Sequence, residues 1–392
     1  MAEKTRISWV QATLLLINMV TATLILVVPA ITTEAARQDA WLSALVATFG
    51  GLLLAFIFTK LQQRFPRENL LQFSITILGP VLGKVVGFLY LWYFLHLAAI
   101  IIRSFGDFLV ISFMPETPVW VFIIIITILA AYAVHNGLEV IARVNILFFA
   151  LVILSIVIIF FLTAKDMDFT NLTPILAEGW KPVVRGSLFP LAWIGEIVIG
   201  LMILSHLANP GEIKRVYLVT TIGVGILLLQ VIIGVVATFG PEYTSHLIFP
   251  GLTGTRIISI GNFIERLEAL AMVMWVGGAF TKICLVYYAG VYGMAEWFRL
   301  KDPRPLVGPA GIILVFFALI IYEHFIDFLK FATVPFPMYT LTTFEGGLPL
   351  LLLVIAILRK KGGAGNVQKN PGSNDDSSAS TNSRLLEPQG NK

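Results

Sequence analysis

The sequence predicts an all-α integral membrane protein of about ten transmembrane helices, arranged as two five-helix halves of opposite orientation, and three observations carry that prediction. Of 392 residues, 57% are hydrophobic and only 13% charged, whereas soluble domains carry roughly 25% charged residues. Apolar runs of about 20 residues, each long enough to cross a hydrocarbon core of about 30 Å, recur along the whole chain. The short links between them alternate between rich and poor in Lys and Arg, the mark of a chain that crosses a bilayer repeatedly.

Taken in order, the expected spans are 9–32, 40–59, 85–113, 118–134, 141–163, 184–206, 216–239, 262–296, 306–322 and 336–358. The first follows Lys4 and Arg6 and lacks the small-residue exit of a cleavable signal, so it is expected to remain as a span. A cytoplasmic N-terminus gathers 15 basic residues on that side: Lys4, Arg6, Lys60, Arg64, Arg67, Lys84, Arg143, Lys214, Arg215, Arg299, Lys301, Arg304, Arg359, Lys360 and Lys361. The other side receives 6: Arg37, Lys165, Lys181, Arg185, Arg256 and Lys330. That imbalance favours an even number of spans with both termini cytoplasmic. Residues 1–361 therefore form the membrane domain. The Gly-, Asn- and Ser-rich residues 362–392 have too few apolar groups to offset ordering entropy and read as a disordered tail.

The polar link 164–182 holds Asn171-Leu172-Thr173-Pro174 and Glu178-Gly179 and divides the chain into repeats of about 8–163 and 183–358. Five spans per half is an odd number, which forces the second half to run the opposite way, so spans one and six correspond. Span one carries Asn18, Thr21, Ala22 and Thr23 near its middle and Pro29 beyond; span six carries Gly186, Pro190, Gly195, Glu196 and Gly200. Both are expected to be broken helices whose freed backbone groups could coordinate a polar ligand near the midplane.

Ionisable residues inside hydrocarbon are costly and each is a candidate site. Glu196 lies about midway through span six, where it could bind a cation or a substrate amine, or serve only as a hydrogen-bonded structural carboxylate. Lys282, after Thr281 deep in span eight, could stand in for a metal cation or pair with Glu196; the bland reading is a side chain snorkelling to the interface. On span three, Tyr93, His96, Arg103 and Asp107 fall along one helical face. Arg103 could pair with Asp107 one turn away, or with Glu265 or Glu268 at the start of span eight, which is otherwise a solvated helix end. Tyr93 and Trp193 flank the expected cavity.

Several function classes are set aside. No paired His/Cys/Asp/Glu spacing suggests a metal, and no phosphate-cradling Gly-Lys-Ser/Thr loop or Gly-x-Ser-x-Gly elbow suggests an ATPase or hydrolase. No cofactor is expected. The net charge of +4 is concentrated in membrane-flanking loops and so reports orientation rather than nucleic-acid binding. The one cysteine, Cys284, sits in an apolar run and excludes a disulfide framework.

Three strings carry a resemblance: Asp39-Ala40-Trp41-Leu42 after span one, Asn171-Leu172-Thr173-Pro174-Ile175-Leu176 with Glu178-Gly179 before span six, and Phe263-Ile264-Glu265-Arg266-Leu267-Glu268 into span eight. In order and spacing they resemble the permease-like B subunit of Ger-type nutrient germinant receptors of endospore-forming bacteria, over about Ile7 to Lys361. That family is similar to the amino acid, polyamine and organocation transporter superfamily, which implies its LeuT-like fold. The resemblance further implies a multi-pass protein of the spore inner membrane that binds a small nutrient, usually an amino acid. It would act with an A subunit bearing a soluble domain and with a lipoprotein C subunit. Its pocket would fall at Ala22, Tyr93, Leu97, Ile194 and Lys282, with Thr21 and Thr23 where the family often has glycines. The alternative is an autonomous transporter coupling an amino acid to a proton or cation through Glu196 or Lys282.

Overall fold

In the computed structural model, residues 6–257 and 267–362 are described. The opening of span eight, including Glu265, lies outside them, as does the tail from 363 onward; the side chain of Glu268 is likewise outside. The described chain is helical, and its apolar surface is turned outward: Phe49, Ile128, Phe161 and Phe316 are all more than half exposed, while Asn18, Thr21, Glu196, Lys282 and Glu345 are buried. This is the arrangement lipid selects, since the backbone polar groups are satisfied within helices and the costly side chains face one another.

The first half consists of α1 (Trp9–Ala36), α2 (Ala40–Arg64), a short α3 (Leu70–Leu78), α4 (Pro80–Ser112), α5 (Val119–Asn136) and α6 (Leu138–Thr163). Ser8 starts α1 with a capping box, its hydroxyl accepting from the Gln11 amide while the Gln11 side chain accepts from the Ser8 amide. Arg37, at φ 49°, ends it. The second half consists of α7 (Trp180–Gly195) continuing through α8 (Gly200–Ile203), then α9 (Ile213–His246), α10 (Pro250–Ile257), α11 (Leu267–Phe298), α12 (Val307–Ile320) with α13 (Phe325–Thr333), and α14 (Pro335–Tyr339) with α15 (Gly347–Leu358). Among the described residues, seven helical stretches are long and apolar enough to cross a bilayer, and α12 with α13, bent by 93°, adds an eighth. The first stretch, Trp9–Arg64, contains both α1 and α2, and α11 has 32 residues. At 1.5 Å per residue each of these three can span on its own, which gives ten crossings.

Contacts at the helix ends fix their sides. Ile7 pairs with Leu207, Arg67 donates to the Leu207 carbonyl at 2.8 Å, and Arg64 donates to the Lys361 carbonyl at 3.1 Å. The start of span one and the ends of spans two, six and ten thus share one face, as an even count requires. At the opposite face Arg37 meets Glu242 at 2.8 Å, and the Asp39 carboxylate accepts the Leu176 amide at 3.0 Å.

The fold differs from the sequence expectation in three ways. First, the break expected in span one is absent: α1 is continuous from Trp9 to Ala36. The Thr21 hydroxyl donates back to the Ile17 carbonyl at 2.9 Å, a bond compatible with regular helix. Span six is interrupted, but by tightening rather than unwinding: α7 ends at Gly195, 3₁₀ turns cover Glu196–Ile199 and Leu204–His206, and the dihedrals stay right-handed helical. Second, short helices α3, α10 and α13 occupy segments read as loops or span ends. Third, span ten holds a π-helical turn, Thr340–Glu345. Gly346 and Gly347 permit it, because a Cβ at either would press on the Leu341 or Thr342 carbonyl.

Candidate functional site

α1 runs through the middle of the bundle and packs against α6, α7, α9 and α11, while α4 packs against α11. Spans one, three, six and eight therefore enclose the centre. At the point where α7 gives way to the 3₁₀ turn, Glu196 projects inward and meets Lys282 of α11, with Nζ to Oε2 at 2.6 Å and both side chains 1% exposed. Lys282 also donates to the Thr23 hydroxyl at 2.7 Å, and Thr23 accepts a second hydrogen bond from the Trp193 indole at 2.9 Å. Four of the residues singled out in the sequence thus form one chain of polar contacts linking spans one, six and eight.

These groups form part of the wall of a cavity of about 30 Å³ that also touches Leu97, Ser104, Trp275 and Phe336. One or two waters fill such a space. An amino acid does not fit without movement. A larger apolar cavity, about 120 Å³, lies beyond Leu26 and Trp275, between α1, α6, α9 and α11, and the buried Ala22 lines this one instead.

Not every candidate reaches the central cavity. Tyr93 lies one turn before Leu97 on α4, where its hydroxyl donates to Glu345 Oε1 at 2.9 Å and its ring stacks on Phe344 at 4.7 Å. Ile194 packs toward Gly51 of α2, away from the cavity. Thr281 accepts from the Asn18 amide and donates to the Gly278 carbonyl at 3.0 Å, joining α1 to α11. Thr21 is satisfied within its own helix. Arg103 bonds Asp107 at 3.2 Å and also donates to the Leu319 and Glu323 carbonyls at 3.1 and 3.0 Å. Asp107 accepts from the Tyr322 hydroxyl at 2.8 Å, so this cluster clamps span three to the end of span nine. The expected pairing of Arg103 with Glu265 or Glu268 rests on side chains outside the described residues.

Glu345 was passed over in the sequence. It is fully buried beneath the cavity, on the π turn of span ten. The signal was present, since it is the one acidic residue in an apolar span and falls under the same rule that singled out Glu196. Span six approaches it closely: a Cβ at Gly195 would collide with Glu345 Oε2. π-turns of this kind recur at functional positions.

Comparisons with known proteins bear on the family and the fold. A family model described as "Spore germination protein" matches residues 6–326. Spore germination protein KB of Bacillus subtilis is 27% identical over 363 residues, 92% of this chain and 96% of its own length. Spore germination protein YndE of the same organism is 26% identical over 91% of this chain and 98% of its own. Among solved structures, MhsT in complex with L-phenylalanine superposes with a TM-score of 0.63 at 13% identity, covering 91% of this chain and 90% of that one. Mhp1, a nucleobase-cation-symport-1 family transporter, gives 0.66 at 11% identity, covering 91% and 80%. At these identities the structural likeness establishes the fold alone, the LeuT-like arrangement of two inverted five-helix repeats.

Proposed function

The chain belongs to the spore germination protein family, and on that premise we propose that it is the ligand-binding membrane subunit of a nutrient germinant receptor, taking a free amino acid into the central cavity. The observation that carries this reading is the Lys282–Glu196 pair in the cavity wall. A zwitterionic amino acid offers a carboxylate to the ammonium of Lys282 and an ammonium to the carboxylate of Glu196. It would thus insert between two charges that otherwise satisfy each other. Leu97, Trp193 and Phe336 leave an apolar surface suited to a small or branched side chain.

The cavity's present size makes binding inseparable from conformational change. A ligand shifts that equilibrium only by its greater affinity for the opened state. In this reading the shift passes to an A subunit and a lipoprotein C subunit in the spore inner membrane, with both termini on the core side and no chemical transformation of the ligand. The second reading, autonomous transport of an amino acid with a proton or cation, draws support from the fold shared with MhsT bound to L-phenylalanine.

Two measurements separate the readings. Purified chain in nanodiscs, heated with each of the common amino acids, should unfold at a higher temperature with one or a few of them, and Glu196→Gln should shift the concentration needed by roughly tenfold or more, as expected for loss of a charged hydrogen bond. Concentrative uptake of a labelled amino acid by proteoliposomes holding this chain alone would instead establish the transporter. No thermal response to any amino acid would remove the main support for the receptor reading.

A further inference from the structure

Below the central cavity the charges do not balance. Two carboxylates, Glu196 and Glu345, and one ammonium, Lys282, are buried together, with Glu345 fully enclosed. Lys282 is committed: its nitrogen lies 2.6 Å from Glu196 and 2.7 Å from Thr23. Glu345 has no direct cationic partner among the described residues. Its Oε1 accepts from the Tyr93 hydroxyl at 2.9 Å, and its Oε2 has no hydrogen-bond partner among the described residues.

The groups around Glu345 offer little else. α4 presents Tyr93, and Tyr90, whose hydroxyl is engaged by the Phe344 carbonyl at 2.8 Å. Span six presents Gly195 and Glu196, the latter a like charge. Span eight presents the already paired Lys282, and span ten presents Tyr339 and Thr340, whose hydroxyls are buried without partners. A second negative charge, with no cation to compensate it, costs far more in such surroundings than one tyrosine hydrogen bond returns. On the side of span six, Gly195 closes on Oε2 so tightly that not even a methyl group fits, and no cluster of three or more His, Cys, Asp or Glu side chains that could hold a metal ion occurs among the described residues.

We infer that Glu345 is a proton-binding site, holding a proton on Oε2 in this closed conformation. The proton removes the surplus charge and gives Oε2 a hydrogen to donate, while Oε1 remains the acceptor for Tyr93. The Thr340 hydroxyl, on the same π turn, is likewise buried without a partner. Because any conformation that wets Glu345 lets this proton pass to water, protons bind the closed arrangement in preference to opened ones. The site lies outside the ligand cavity, so the inference does not depend on whether the chain senses or transports.

Infrared spectroscopy of the purified full chain in nanodiscs at neutral pH, without ligand, tests this. The carbonyl stretch of a neutral carboxylic acid should be present in the wild type, be lost in Glu345→Gln and be retained in Glu196→Gln. Tyr93→Phe should keep the band and move it to higher frequency by removing the hydrogen bond to Oε1. In a thermal scan, raising the pH from mildly acidic to mildly alkaline should lower the unfolding temperature of the wild type more than that of Glu345→Gln, because only the wild type holds an extra proton when folded. Absence of the band from the wild type, its persistence in Glu345→Gln, or equal pH slopes in the two proteins would each overturn the assignment.

Discussion

Lys282 and Glu196 satisfy each other in a place where neither could remain charged alone. Removing one partner of a buried pair leaves an uncompensated charge and typically costs about 3–5 kcal/mol, whereas replacing both with apolar groups is often nearly neutral. Lys282→Met should therefore lower thermal stability markedly, and Lys282→Met combined with Glu196→Leu should recover most of the loss. Both proteins should fail to respond to the amino acid that shifts the wild type. A double variant as unstable as Lys282→Met would show that the two side chains are held by other partners. Thr23, which accepts from both Lys282 and Trp193, is a milder probe. Thr23→Val leaves two buried donors short of an acceptor and should cost about 1–3 kcal/mol in a melt of the purified chain.

Among the elements, the irregular ones carry the site. The 3₁₀ turn after Gly195 and the π turn before Gly346 face each other, one bearing Glu196 and the other Glu345. Gly195→Ala drives a methyl group into Glu345 Oε2. The overpacking should cost about 1–3 kcal/mol and weaken the ligand response, as measured by the same thermal shift, while Gly308→Ala, whose added Cβ meets open space, should do neither. Span six was legible as interrupted because Gly195, Glu196 and Gly200 lie in the middle of an apolar run. Span one offers no such mark, because Thr21 is as compatible with a continuous helix, through its bond to the Ile17 carbonyl, as with a broken one. The short helices α3, α10 and α13 escaped notice because each is eight or nine residues long. In so apolar a chain, a segment of that length does not stand out from the spans beside it.

Across the whole molecule, the bonds at the two faces tie distant parts of the chain into one topology. Two strings that carried the family resemblance turn out to be a single latch: Asp39 accepts the Leu176 amide, and Gln38 donates to the Pro174 carbonyl at 3.1 Å. The two strings thus meet where the end of span one contacts the link before span six. The single cysteine, Cys284, is fully buried, which makes the native chain a silent background for labelling. Glu68→Cys and Asp302→Cys should react with a membrane-impermeant thiol reagent only from the face holding the N-terminus, and Glu178→Cys only from the other. Labelling of Glu68→Cys and Glu178→Cys from the same side would contradict the ten-span arrangement.

The sequence by itself determined the solvent, the number of crossings, the pairing of two opposed halves and the identity of Glu196 and Lys282 as residues needing a reason to be buried. All of these follow from local composition, because hydrocarbon penalises charge and unpaired backbone wherever they occur. Only the tertiary structure decided that Lys282 neutralises Glu196, that Arg103 clamps span nine, that Ile194 turns away from the cavity, and that Glu345 comes to lie beside them without a cation of its own. Those outcomes depend on how far apart side chains from different spans end up once helices pack. Spacing along one helix carries no information about that distance.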